Sequence, residues 1–141
     1  MEISQIYKLG VANNDPSEVI TGLQDNGTKL NRNNAWSDVR GGDGMECIID
    51  YSDPAIQYNT IYYGEIRRTT NRWSYYVDVT PSGAGEGAWV TPYIIDLNNP
   101  STHYSAYANV WKSTNRGSSW TKISTMNSSG KLRSMAIAPS N

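Results

Sequence analysis

The chain has 141 residues, enough for one ordinary domain, with 38% hydrophobic residues and a formal charge of −1 at neutral pH. That balance excludes a nucleic-acid groove or a face for anionic membranes, both of which need clustered Lys and Arg. No apolar run is long enough for membrane insertion as a helix, and the single Cys47 excludes an internal disulfide and a cysteine metal cluster.

From the amino end, Met1-Glu2-Ile3-Ser4 is not a signal peptide, so a secreted parent would need a leader upstream of this segment. An apolar stretch then closes on a turn with Asp or Asn before Pro, Gly10-Val11-Ala12-Asn13-Asn14-Asp15-Pro16. The pattern returns at Ile48-Ile49-Asp50-Tyr51-Ser52-Asp53-Pro54 and Ile94-Ile95-Asp96-Leu97-Asn98-Asn99-Pro100. A fourth copy, Ala136-Ile137-Ala138-Pro139-Ser140-Asn141, stops inside the turn. Anchored at Ala12, Asp50, Asp96 and Ala138, the steps are 38, 46 and 42 residues. Periods near 40 are the length of a four-stranded propeller blade. The expectation is therefore an all-β chain of about three four-stranded antiparallel blades, 1–40, 41–86 and 87–127, with 128–141 starting a further blade. Three blades do not close a ring, so the chain should be part of a larger propeller or a homo-oligomer that completes one.

Within each copy, β-branched and aromatic stretches alternate with Asn, Asp, Gly and Pro, and no 3.6-residue periodicity is sustained. In the third copy the strands are expected at 89–96, 102–107, 109–113 and 120–124. The aromatic inventory of ten Tyr, five Trp and no Phe suits half-buried strands and wet surfaces alike. Cys47 sits where Leu9, Tyr93 and Met135 stand in the other copies and reads as a buried inert thiol. The only histidine, His103, lies in a Ser/Thr/Tyr-rich strand and reads as structural. Gly83-Ala84-Gly85-Glu86-Gly87-Ala88 matches a dinucleotide fingerprint only formally, because the strand that follows supplies no helix N-terminus.

Because antiparallel strands alternate direction, loops after strands two and four share one face and the Asp-Pro and Asn-Pro turns share the other. The first face carries the length variation: Gln24-Asp25-Asn26-Gly27-Thr28, Arg40-Gly41-Gly42-Asp43-Gly44 and Pro81-Ser82-Gly83-Ala84-Gly85-Glu86-Gly87. Variable loops on a rigid scaffold are where function concentrates. Gln24, Asp25, Asn26, Arg40, Asp43, Glu86 and Trp89 are the candidate ligand-binding residues, with Trp89 offering a flat surface for sugar stacking. Asp25, Asp43 and Glu86 are the candidate catalytic carboxylates. No cofactor or metal is expected; calcium is the one ion for which Asp25 and Asp43 offer suitable oxygens.

Ser113-Thr114-Asn115-Arg116-Gly117-Ser118-Ser119-Trp120 fits the Asp-box pattern with Asn for Asp, and Lys29 to Trp36 is a degenerate copy. Arg68 to Trp73 reads as a shortened one. In such a turn a short polar side chain bonds backbone NH groups, Gly is left-handed and Trp packs beneath, so Ser113, Asn115, Gly117 and Trp120 are the structural set. Trp36, Trp73 and Trp120 should be largely buried equivalents. With the repeat, these boxes resemble the BNR/Asp-box propellers of sialidases, sortilin-type receptors and xyloglucan-cleaving glycosidases, and look closest to large secreted bacterial BNR-repeat proteins. The resemblance implies a non-catalytic segment of a secreted or cell-surface protein that scaffolds or binds glycan or protein, or alternatively part of a glycoside hydrolase. A sialidase site is disfavoured, because only Arg40 and Arg133 fall on the variable face.

Overall fold

The computed structural model describes residues 4–126 and 129–138. Among them the first four strands are β1 (Ile6–Val11), β2 (Val19–Leu23), β3 (Gly27–Arg32) and β4 (Ala35–Arg40). The next four are β5 (Gly44–Ile49), β6 (Gln57–Ile61), β7 (Ile66–Thr69) and β8 (Tyr76–Asp78). The last are β9 (Tyr93–Ile95), β10 (His103–Ala106), β11 (Val110–Ser113) and β12 (Thr121–Lys122). Each set of four pairs in chain order into one antiparallel sheet.

The turn before each second strand is built identically in the three sheets. Asp15, Asp53 and Asn99, each preceding a proline, accept the backbone N–H two residues on, from Ser17, Ala55 and Ser101. Their carbonyls accept from Glu18, Ile56 and Thr102, and the carbonyls of those residues accept from Ala12, Asp50 and Asp96. Pro fixes φ and Asp or Asn supplies the short acceptor, so the recurring dipeptide closes one turn geometry three times.

The cores lie between neighbouring sheets. Ala12, Ile20 and Leu30 of the first sheet meet Cys47 and Ile49 of the second, with Trp73 packed against them. Tyr58, Ile66 and Val79 of the second sheet meet Tyr93 of the third, with Trp120 packed against them. Glycine sets the close approach of the first pair: a Cβ on Gly22 would stand 2.2 Å from the carbonyl oxygen of Met45. Polar side chains cross the same seams, with Asn59 Nδ2 donating to Thr28 Oγ1 at 3.1 Å and Tyr107 Oη to the carbonyl of Gly64 at 2.5 Å.

The turn from β11 to β12 has Ser113 Oγ accepting the N–H of Gly117 at 2.9 Å and Asn115 Oδ1 accepting that of Ser119 at 2.8 Å, while Gly117 is left-handed at φ +82°. The turn from β7 to β8 repeats it: Thr69 Oγ1 accepts from Trp73 and Asn71 Oδ1 from Tyr75, both at 2.9 Å. The second copy is therefore full length, not shortened. Trp73 occupies the glycine position at φ +67°, and Tyr76 occupies the tryptophan position.

Other expectations need correcting. Trp73 and Trp120 are half-buried, whereas Trp36 is 60% exposed because no other sheet among the described residues covers it. The inner strand of the third sheet begins at Tyr93 rather than at Trp89, since Pro92 has no N–H to donate to a ladder. The outer strand is only Thr121–Lys122. The described part of the fourth copy, through Ala138, forms no strand. Pro139, Ser140 and Asn141 lie outside the described residues.

Candidate functional site

The loops after β2 and β4 meet on one face, as the strand directions require. Asp25, left-handed at φ +58°, donates its backbone N–H to Asp43 Oδ1 at 2.7 Å. The Asp43 carboxylate thus ties two loops together, and Asn26 Nδ2 returns to the carbonyl of Gln24 at 3.1 Å. Beside them a shallow depression of about 450 Å³ is lined in part by Asp25, Asn26, Arg40 and Gly41. Arg40 does not offer its charge there: its side chain is 6% exposed and paired with Glu65. Burial lowers its pKa, against the raising pull of the Glu65 carboxylate. Glu86 is 73% exposed and lies 3.5 Å from Lys131 Nζ. Among the described residues no group of three or more His, Cys, Asp or Glu is arranged to hold a metal ion.

Aromatic residues make a second feature on the same face. After β6 the chain makes a single 3₁₀ turn, Tyr62–Gly64, in which Tyr63 is left-handed at φ +64°. Two backbone bonds clamp this turn to the loop before β9: Tyr63 N–H to the carbonyl of Trp89 at 3.3 Å, and Gly87 N–H to the carbonyl of Tyr63 at 2.8 Å. The clamp lines up three rings. Tyr62 and Trp89 stack at 14° with centroids 5.4 Å apart, and Tyr63 stands edge-on to both, at 75° and 84°. Trp89 Nε1 points to Tyr7 Oη at 3.4 Å, and Lys131 Nζ sits 5.2 Å from the centre of the Tyr63 ring. Each of the three rings stays at least 37% exposed. Of this group, sequence reasoning singled out only Trp89 and missed Tyr62, Tyr63 and Lys131. The available signal was Tyr62-Tyr63-Gly64 itself, paired aromatics followed by glycine directly after a strand.

No protein-family model matches the sequence, and no curated protein matches it. Solved structures do. An ancestral GH74 enzyme superposes with a TM-score of 0.69 at 15% identity, over 88% of this chain and 20% of its own. The GH74 xyloglucanase from Xanthomonas campestris gives 0.70 at 14% identity, over 85% of this chain and 21% of its own. YCF48 from Cyanidioschyzon merolae gives 0.61 at 12% identity, over 85% of this chain and 37% of its own.

The chain is a partial β-propeller. Its three sheets are blades, and it spans about a fifth of the length of the GH74 structures. At such identities the likeness is one of fold. In propeller terms β1, β5 and β9 are inner strands and β4, β8 and β12 outer ones. The Tyr62, Tyr63 and Trp89 rings therefore sit on the face from which the inner strands start.

Proposed function

We propose that this propeller segment is a non-catalytic, glycan-binding part of a secreted or cell-surface protein, with Tyr62, Tyr63 and Trp89 as its stacking surface. The carrying observation is that three exposed rings are grouped by a bulky residue in the left-handed region, Tyr63 at φ +64°. That conformation costs about 1–3 kcal/mol and persists where surrounding structure enforces it, commonly at binding sites. Aromatic rings present a broad apolar surface to the C–H face of a sugar, and the nearby Glu86 and Lys131 can bond its hydroxyls.

Against catalysis stands the occupation of the candidate groups. Two of the three candidate carboxylates are engaged, Asp43 accepting a backbone N–H and Glu86 facing Lys131 in the open, and the binding candidate Arg40 is taken up by Glu65. The turns at Ser113 to Trp120 and Thr69 to Tyr76 serve this reading as Asp-box-like scaffolding on the opposite face. Xyloglucan oligosaccharides are the natural probe, since one structural neighbour is a xyloglucanase.

Calorimetric titration with xyloglucan and mixed-linkage β-glucan oligosaccharides should show binding that Trp89→Ala weakens about tenfold or more, the loss expected when the apolar contact of one aromatic ring is removed. Asp43→Asn should leave affinity unchanged, and no reducing ends should be released. Release of reducing ends that Asp43→Asn abolishes would replace this reading with a hydrolase; absence of binding, or binding indifferent to Trp89→Ala, would remove the site.

A further inference from the structure

The seam between blades contains an arginine joint that occurs twice. Arg72, left-handed at φ +51°, reaches from the second blade to Glu18 of the first, Nε to Oε1 at 3.0 Å. Arg116, left-handed at φ +57°, reaches from the third blade to Asp50 of the second, Nε to Oδ2 at 3.2 Å, and to Ser52 Oγ at 3.3 Å. Both arginines follow the turn asparagine, in Asn71-Arg72 and Asn115-Arg116.

The two ends of the chain carry the halves of a third joint. Asn31-Arg32 holds the same place in the first blade, on the side that no other blade among the described residues covers. Arg32 instead lies 3.7 Å from Glu18 of its own blade and stays exposed. At the other end, Asp96 stands in its turn as Asp50 does. Each gives Oδ1 to the N–H two residues on, and the backbone bonds around them match. Asp50 receives Arg116 on its second oxygen; among the described residues no arginine reaches Asp96.

The first blade's outward face agrees. Leu9, Val11 and Trp36 are each at least 46% exposed on it, and Asn31, paired in register with Trp36, has a buried Oδ1 with no partner. On the corresponding faces of the next two blades, Trp73 and Trp120 are covered against their neighbours.

We infer that this face is the seat of a second copy's third blade, joined head to tail through Arg32 of one copy and Asp96 of the other. Two copies would contribute six blades, within the range of about four to eight that closes a propeller ring. Such a pair would form the joint twice about a twofold axis. Charge selects the occupant, since the chain itself carries both complementary groups, Arg32 and Asp96.

Sedimentation equilibrium over a wide concentration range should show the mass doubling. Arg32→Asp or Asp96→Arg alone puts like charges at both joints of a homodimer, and each should raise the dissociation constant by tenfold or more, roughly the effect of mispairing a close charge pair. Mixing the two variants restores opposite charges at both joints, so a heterodimer should form from chains that are monomers apart. Because only folded chains can re-pair, this arm separates interface loss from misfolding. A wild-type chain that stays monomeric throughout, as it would if the seat awaited another blade of its own polypeptide, overturns the inference. So does a mixture of the two variants that fails to associate.

Discussion

Acidification should destabilise this protein through His103, by an amount its surroundings define. The ring is fully buried. Nε2 lies 3.1 Å from the carbonyl oxygen of Pro100, which can only accept, so Nε2 carries the proton; Nδ1 then accepts the Tyr93 hydroxyl at 2.9 Å. The rings of Tyr58 and Tyr93 lie against it, with centroids 4.6 and 5.5 Å away. A second proton would require the Tyr93 hydroxyl to give up its donor role and would place a charge among aromatic rings. Burial accordingly lowers the His103 pKa from 6.5 to about 4, against the raising influence of the Pro100 carbonyl and Asp50. The neutral form is the folded form, so this contribution to stability is complete above pH 6.5. It is lost as pH falls from 6.5 towards 4, where the unfolded chain takes up a proton that the folded one refuses. At 1.36 kcal/mol per pH unit, that interval amounts to about 3 kcal/mol. Urea unfolding of wild type and His103→Gln between neutral pH and about pH 4 should show the wild-type curve falling by that much more, carboxylate titrations cancelling in the difference. The chain has one histidine, so its ring protons can be followed by NMR without ambiguity and should titrate near pH 4 in the folded protein. A midpoint near 6.5, or a stability difference between the two proteins that does not change with pH, would refute the reasoning.

Trp120→Ala should cost about 2–3 kcal/mol, below the 3–5 of a fully buried aromatic, because the ring is half-buried against Tyr93 and Val79 and also donates Nε1–H to the Val79 carbonyl at 2.7 Å. Trp120→Phe keeps most of the packing and should recover all but about 1 kcal/mol in the same thermal melts; equal losses in both variants would show that the ring does not hold the seam. Cys47, buried in the seam between the first two blades with its thiol pKa pushed up by burial, should react with a thiol reagent only as fast as the protein unfolds globally, and rapid modification of the native state would place it elsewhere.

What could be read from sequence divides along a physical line. Local devices were legible: the Asp15, Asp53 and Asn99 turns announce themselves because Pro and a short acceptor are needed in adjacent positions, and their spacing yields the blades. The turn from β7 to β8 reads as shortened in the sequence for a local reason, since a tryptophan at φ +67° is not what a glycine position ordinarily holds, and Trp73 invites alignment with Trp120. Its hydrogen bonds show that the polar acceptors, Thr69 and Asn71, define that turn and that the left-handed residue is tolerated because they hold it. Properties supplied by neighbouring blades were hidden. Trp36 and Trp120 occupy equivalent positions, yet one is exposed and the other covered, because the covering atoms belong to the preceding blade. Tyr62 and Tyr63 reach Trp89 only because the fold sets the loop after β6 against the loop before β9. A repeat therefore encodes its own strands and turns, while burial, ion pairing and the aromatic surface are made at seams between repeats. Arg72 and Arg116 show this most directly, for neither side chain's carboxylate partner lies in its own blade.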